Sequence, residues 1–250
     1  LRRAPIQNHY LAFSGGSEKT TYRVSLGYLN QEAIVRGKFK NERFNLSLNI
    51  NSNVKSWLTI SNVTNMYWTR FKGPSGGADA ITGETGIINQ FQRSAPTIPA
   101  YYSNGAYGIV DGSYQYTNFS YPSTNPLQRG LLGDYSSDDI NIAERFGIKV
   151  DFNKNLSFET SGSVNLSFGN TSNFNPTNST FDWAGNLVGQ TAVNALNNGT
   201  SFNYRMLNEN IFRYSNTFGD KHDFSVLAGH SLIYNRNDGF SGSLQGFSTN

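Results

Sequence analysis

The 250-residue chain contains no cysteine, which excludes disulfide scaffolds, cysteine-ligated zinc and thiol catalysis. No stretch approaches the roughly 18 consecutive apolar residues of a membrane-spanning helix. Charge is scarce at 15% of residues, and no Lys/Arg run is longer than Arg2-Arg3. With 20 basic against 17 acidic residues, the +3 balance provides no track for a nucleic-acid backbone. The histidines are His9, His222 and His230, none at H-x-x-x-H or H-E-x-x-H spacing, so no metal site or cofactor is expected. No secretory leader opens the chain, and its first residue is Leu1 rather than Met. We read it as an internal fragment of a longer protein.

Hydrophobic residues make up only 37%, little for a large apolar core, whereas a barrel with a wet interior has this composition. The 18 Phe and 14 Tyr argue against disorder. Between Ile140 and Asn170 the apolar residues alternate with polar ones. Ile140, Ile142, Phe146, Ile148, Val150 and Phe152 interleave with Asn141, Ala143, Arg145, Gly147, Lys149 and Asp151. Beyond Asn153-Lys154-Asn155, Leu156, Phe158, Val164, Leu166 and Phe168 interleave with Ser157, Glu159, Ser161, Ser163, Asn165 and Ser167. Period two puts each set on its own face of a strand. Each alternation outlasts the roughly 5–6 residues of a soluble strand. Each also exceeds the roughly 9–11 residues that a tilted strand needs to cross a bilayer.

The pattern predicts strands over Ile6–Ser14, Thr20–Asn30, Asn41–Asn51, Trp57–Arg70, Asp139–Phe152, Leu156–Asn170, Ser201–Thr217 and His222–Asn235. Short turns at Gly15–Lys19, Ser52–Ser56, Asn153–Asn155 and Phe218–Lys221 are rich in Gly, Asn, Asp and Ser. They alternate with the long links Gln31–Lys40, Phe71–Asp138 and Thr171–Thr200 and with the stretch from Arg236. Repeated membrane crossing would place all short turns on the periplasmic side and all long loops outside. Trp57, Tyr67 and Trp68, with Tyr22 and Tyr28, lie near segment ends, where an aromatic belt would sit. Within Trp57–Arg70 the apolar phase changes between Ile60 and Val63, which predicts a bulge. Ser201–Thr217 has Tyr204, Met206 and Phe212 on one face but Leu207 and Ile211 on the other, so its facing stays open.

The run Ser14-Gly15-Gly16-Ser17-Glu18-Lys19-Thr20-Thr21-Tyr22, continuing through Ser25 to Glu32, resembles the SusC/RagA-type TonB-linked outer-membrane transporters of Bacteroidetes. Ala4-Pro5-Ile6-Gln7-Asn8, Arg93-Ser94-Ala95-Pro96 with Pro99, Asn125-Pro126 and His222–Ser231 add to the likeness, while Ala33 stands where Gly is expected. The resemblance implies an all-β, transmembrane antiparallel β-barrel, of which residues 1–250 supply about eight of 22 strands. The external loops would be 71–138 and 171–200. The plug domain and TonB box would lie outside these residues. It further implies import of oligosaccharides or peptides across the Gram-negative outer membrane with a SusD-like surface lipoprotein. TonB would act through regions outside this fragment.

The best candidate binding residues are aromatic rings set among Gly, Asn, Ser and Pro, a composition suited to recognising sugars or peptides. They are Tyr101, Tyr102, Tyr107, Tyr114, Tyr116, Phe119 and Tyr121 in the first long loop and Trp183 in the second. Packing of the loop on itself or on the lipoprotein partner is the competing role. Arg93 joins them on the resemblance alone. Arg145, Lys149 and Glu159 are expected on the lumen side. Gly73-Pro74-Ser75-Gly76-Gly77 matches G-x-S-x-G formally, but no strand-to-helix elbow surrounds it, so no catalytic residue is assigned. Asp134, Asp138 and Asp139 lack the alternating-oxygen loop of a calcium site and read as a solvated loop edge. Two alternatives remain: a small outer-membrane barrel acting as adhesin or structural protein, and a secreted β-sandwich that binds or acts on glycans.

Overall fold

The computed structural model describes residues 2–34, 37, 39–77, 86–93, 99–108, 125–181, 184–219 and 221–248. Four hairpins make an antiparallel sheet: β1 (Ile6–Gly16), β2 (Thr20–Glu32), β3 (Lys40–Lys55), β4 (Leu58–Gly73), β5 (Asp134–Asp151), β6 (Leu156–Asn175), β9 (Ala195–Phe218) and β10 (His222–Gln245). They pair in the order β1-β2-β3-β4-β5-β6-β9-β10, and the outer strands leave the sheet open. A small hairpin of β7 (Asn178–Phe181) and β8 (Leu187–Thr191) interrupts the β6–β9 link. Helices α1 (Ile87–Arg93) and α2 (Pro126–Leu131) lie in the β4–β5 link and pack together.

The period-two reading places the strands, but their ends run further than the alternation. β9 and β10 have 24 residues each, roughly 80 Å at 3.4 Å per residue, far more than a bilayer core requires. β6 and β9 project into the segment expected as the loop 171–200, β10 into the stretch from Arg236, and β4 and β5 into 71–138. The extensions are rich in Asn, Ser and Gly with only isolated apolar residues such as Phe174 and Phe240, so the alternation does not carry through them.

Ladder partners share a face, so register sorts the side chains. One level runs Leu11, Leu26, Leu46, Met66, Ile142, Leu166, Tyr204. The adjacent level on the opposite face runs Tyr10, Gly27, Asn45, Tyr67, Asn141, Ser167, Asn203, Asn237. The sheet therefore has an apolar and a polar side, and there is little core between elements. Its stagger follows from the ladder that begins at Thr21, next to the first turn. That ladder passes through Asn51, Ser61, Gly147, Ser161 and Glu209 and reaches Ser231, well inside β10. Tilted barrel strands carry this progressive offset.

Two expectations are corrected. β4 pairs with β3 and β5 without a shift between Ile60 and Val63; the one irregularity lies at Asn53/Lys55. The apolar phase breaks because Asn62 and Thr64 occupy outward positions of the same face as Ile60 and Met66, while Val63 points to the polar side. Tyr67 also leaves the expected belt. It lies on the polar face, with the Arg43 guanidinium 5.0 Å from its ring centre. The open facing of Ser201–Thr217 is resolved: Tyr204, Met206 and Phe212 join the apolar face, and Leu207 and Ile211 join the polar one.

The apolar side ends in an aromatic row near the long links. His9 stacks on Tyr28 at 6.3 Å, Tyr28 meets Phe44 at 4.8 Å, and Phe44 stacks on Trp68 at 5.5 Å. The polar tips of this row reach upward: the Tyr28 hydroxyl donates to Glu42 and the Trp68 indole N–H donates to Asp138. Amphipathic rings with one wet end suit a membrane–water boundary.

Candidate binding surfaces at the long-link end and on the polar face

The connections above the sheet are held by local polar chemistry. Asn125 has extended backbone and caps α2, accepting from the Leu127 N–H at 2.9 Å. Its side-chain amide donates to the carbonyls of Gly108 at 2.7 Å and Ala100 at 3.3 Å. One buried asparagine thus fastens the segment 100–108 to the helix. Within that segment Tyr101 and Tyr107 form an antiparallel bridge with ring centres 5.0 Å apart. Gly105 closes the turn with φ +85°, a conformation that favours glycine. Burial, and then neighbouring Tyr101, push the Tyr107 phenol above its ordinary pKa. Tyr101 and Tyr107 therefore pack on each other, and Tyr102 donates its backbone N–H to Ala106 at 2.7 Å.

Arg93 is the last residue of α1. Tyr114, Tyr116, Phe119, Tyr121 and Trp183 lie outside the described residues.

Ser75 of the G-x-S-x-G match is a fastener. Its hydroxyl donates to the Asn173 side chain at 2.9 Å and also engages Asn175, while Gly76 N–H donates to Asn173. The turn is thereby pinned to the extension of β6. Pro74, Phe39 and Ile87 are buried, and Gln128 ties α2 to β7 through Asn178 at 3.0 Å. Asp138 and Asp139 occupy successive strand positions and project to opposite faces; Asp138 pairs with Arg70 at 2.9 Å.

On the polar face the three expected charged residues are paired. Lys149 meets Asp151 at 2.8 Å, Glu159 meets Arg213 at 2.8 Å, and Arg145 meets Glu209 at 3.8 Å and Ser161 at 3.3 Å. The partners Arg213 and Glu209 were missed because the phase of their strand was open. Extending the ladder from Glu159 to β9 would have found them. Just toward the long links lies a furrow of about 330 Å³ that includes Asn65, Asn141, Asn165, Asn203, Asn235 and Asn237. Tyr67 and Arg205 flank it. Each asparagine amide offers both donors and acceptors, so the furrow can exchange hydrogen bonds with uncharged hydroxyl or amide groups.

No family model matches the chain. It is 28% identical over 233 residues to TonB-dependent receptor P39 of Formosa agariphila, covering 93% of this chain and 20% of that protein. It is 27% identical over 248 residues to TonB-dependent receptor P3 of the same organism, covering 98% and 23%. The chain thus spans about a fifth of the curated relatives' length. Among solved structures, the RagAB peptide importer in its closed-closed state superposes with TM-score 0.68 at 21% identity, over 98% of this chain and 26% of that one. The open-open state gives the same values. These structural likenesses establish the barrel-wall fold.

Proposed function

Because this chain is a wall segment of a TonB-dependent receptor barrel of the SusC/RagA kind, a protein of the outer membrane, we propose that it lines the import path for a nutrient too large for passive pores. The observation that carries this reading is the polar face. Its asparagine furrow and compensated ion pairs form a hydrophilic wall opposite a mainly apolar face. In this reading the apolar face meets lipid, the short turns lie in the periplasm, and the long links face outward. Substrate, an oligosaccharide or a peptide, is captured between the external links and a SusD-like surface lipoprotein. It then passes along the polar wall. TonB supplies the energy through parts of the protein outside these residues, and no bond is broken.

The furrow suits either substrate, since sugar hydroxyls and peptide amides both match asparagine. Tyr101, Tyr102 and Tyr107 serve chiefly to shape the external surface, given how two of them pack on each other, and Arg93 belongs to the same link. Growth of a deletion strain on a panel of glycans and peptides, with pull-down of the partner lipoprotein, tests the assignment. Loss of growth on one class identifies the cargo. Normal uptake of every candidate would remove the transport role.

A further inference from the structure

The ladder sets two lysines side by side. Lys40 of β3 and Lys72 of β4 are direct cross-strand partners, both on the apolar face, just past the aromatic row. Like charges in directly opposed positions destabilise a sheet unless an anion relieves them. Lys40 meets Glu42 at 2.8 Å. Of the other described acids of this corner, Asp138 is engaged by Arg70 at 2.9 Å and Glu32 by Arg2 at 2.9 Å. Among the described residues no anion pairs with Lys72, which is exposed.

Directly below this pair the apolar face is indented. A groove of about 440 Å³ is walled by Leu26, Tyr28, Phe44, Leu46, Met66 and Trp68, with very few polar atoms. The Arg70 guanidinium lies 5.0 Å from the Trp68 ring centre and covers the upper lip. Lys72 is four residues beyond Trp68, roughly 13 Å along the strand. That separation places the lysine pair at the depth of headgroups when the groove lies among acyl chains.

We propose that this corner of the wall is a binding site for a phosphate-bearing acyl lipid of the leaflet on the long-link side. A hydrocarbon chain fills the groove, and the phosphate bridges Lys40 and Lys72. The apolar groove and the exposed lysine pair are two separate features that one amphipathic molecule satisfies together. The site rests on the membrane orientation described above and is independent of the cargo.

The test uses the full-length receptor, delipidated and placed in phosphatidylcholine bilayers doped with bisphosphorylated lipid A or its dephosphorylated form. Retained lipid is counted by native mass spectrometry. The wild type is expected to retain the phosphorylated form about tenfold better, K40Q/K72Q to lose that preference, and K40R/K72R to keep it. Equal retention of both forms by the wild type, or undiminished preference in K40Q/K72Q, overturns the proposal. So does inorganic phosphate binding as tightly as the lipid, because the groove would then contribute nothing. Heat-modifiable migration confirms that each variant is folded. Substrate uptake measured on the same variants separates failure of this site from failure of the import reading.

Discussion

Glu144 of β5 accepts hydrogen bonds from Asn62 and Thr64 of β4 on the mainly apolar face. The three lie midway between the strand ends, and the polar set continues sideways through Thr160, Asn208 and Asn210, with Thr160 donating to Asn210 at 2.8 Å. A carboxylate facing lipid at mid-depth is costly unless its oxygens are satisfied, and here donors on the neighbouring strand satisfy them.

Removing those donors while leaving the acid should therefore hurt more than neutralising the acid. N62A/T64A in the full-length protein is expected to cost about 2 kcal/mol, and Glu144→Gln less than about 1 kcal/mol. Urea unfolding in lipid vesicles, followed by gel mobility, measures both. Equal costs would mean that the carboxylate is not desolvated.

The Arg213–Glu159 bridge makes the opposite case. Its side chains are 45% and 30% exposed, so water and salt screen the pair. Arg213→Ala is expected to cost below about 1 kcal/mol, with the loss vanishing at high salt. A large, salt-independent loss in the same unfolding assay would place this bridge in a dry interface.

The Tyr101–Tyr107 pair predicts an alkaline transition. Burial favours the neutral phenol of Tyr107, raising its folded pKa above the unfolded value. The folded state then holds its proton more tightly, so this contribution is intact below about pH 10 and is lost as pH rises through the shifted value. Difference absorbance at 295 nm between wild type and Tyr107→Phe should show the missing step above pH 10 or so. A step at or below the ordinary phenol range contradicts the packing.

Ile87, only 3% exposed, buries the apolar side of α1, which packs on α2. Ile87→Ala is expected to weaken this local core by about 2 kcal/mol or more. Proteolysis of the β4–β5 link should accelerate while the heat-modifiable gel shift of the barrel is unchanged. Unchanged cleavage would show that the link is held elsewhere.

The alternation from Ile140 to Asn170 was legible because both hairpin strands keep period two through the bilayer, with only Glu144, Thr160 and Gly162 interrupting the apolar set. The two ambiguous strands share one cause. Asn62 and Thr64 on β4, and Asn208 and Asn210 on β9, put polar side chains on the apolar face. From sequence this looks like a bulge on one strand and an undecided facing on the other. Only the ladder reveals that they are neighbours of Glu144 and of Thr160. The asparagine furrow was hidden for a related reason: its members come from five strands and meet only through register. The β7–β8 hairpin and the two short helices carry too few periods to register as patterns.

The central claim is that one face of these strands meets lipid and the other lines a wet path. The absence of cysteine from this segment makes single-cysteine labelling direct. Cysteines placed one at a time from Asn203 to Glu209 of β9, in the full-length receptor in whole cells, would be probed with a water-soluble maleimide. Labelling at Asn203, Arg205, Leu207 and Glu209, with protection at Tyr204, Met206 and Asn208, is the result expected. Uniform labelling, or the inverted alternation, would contradict it.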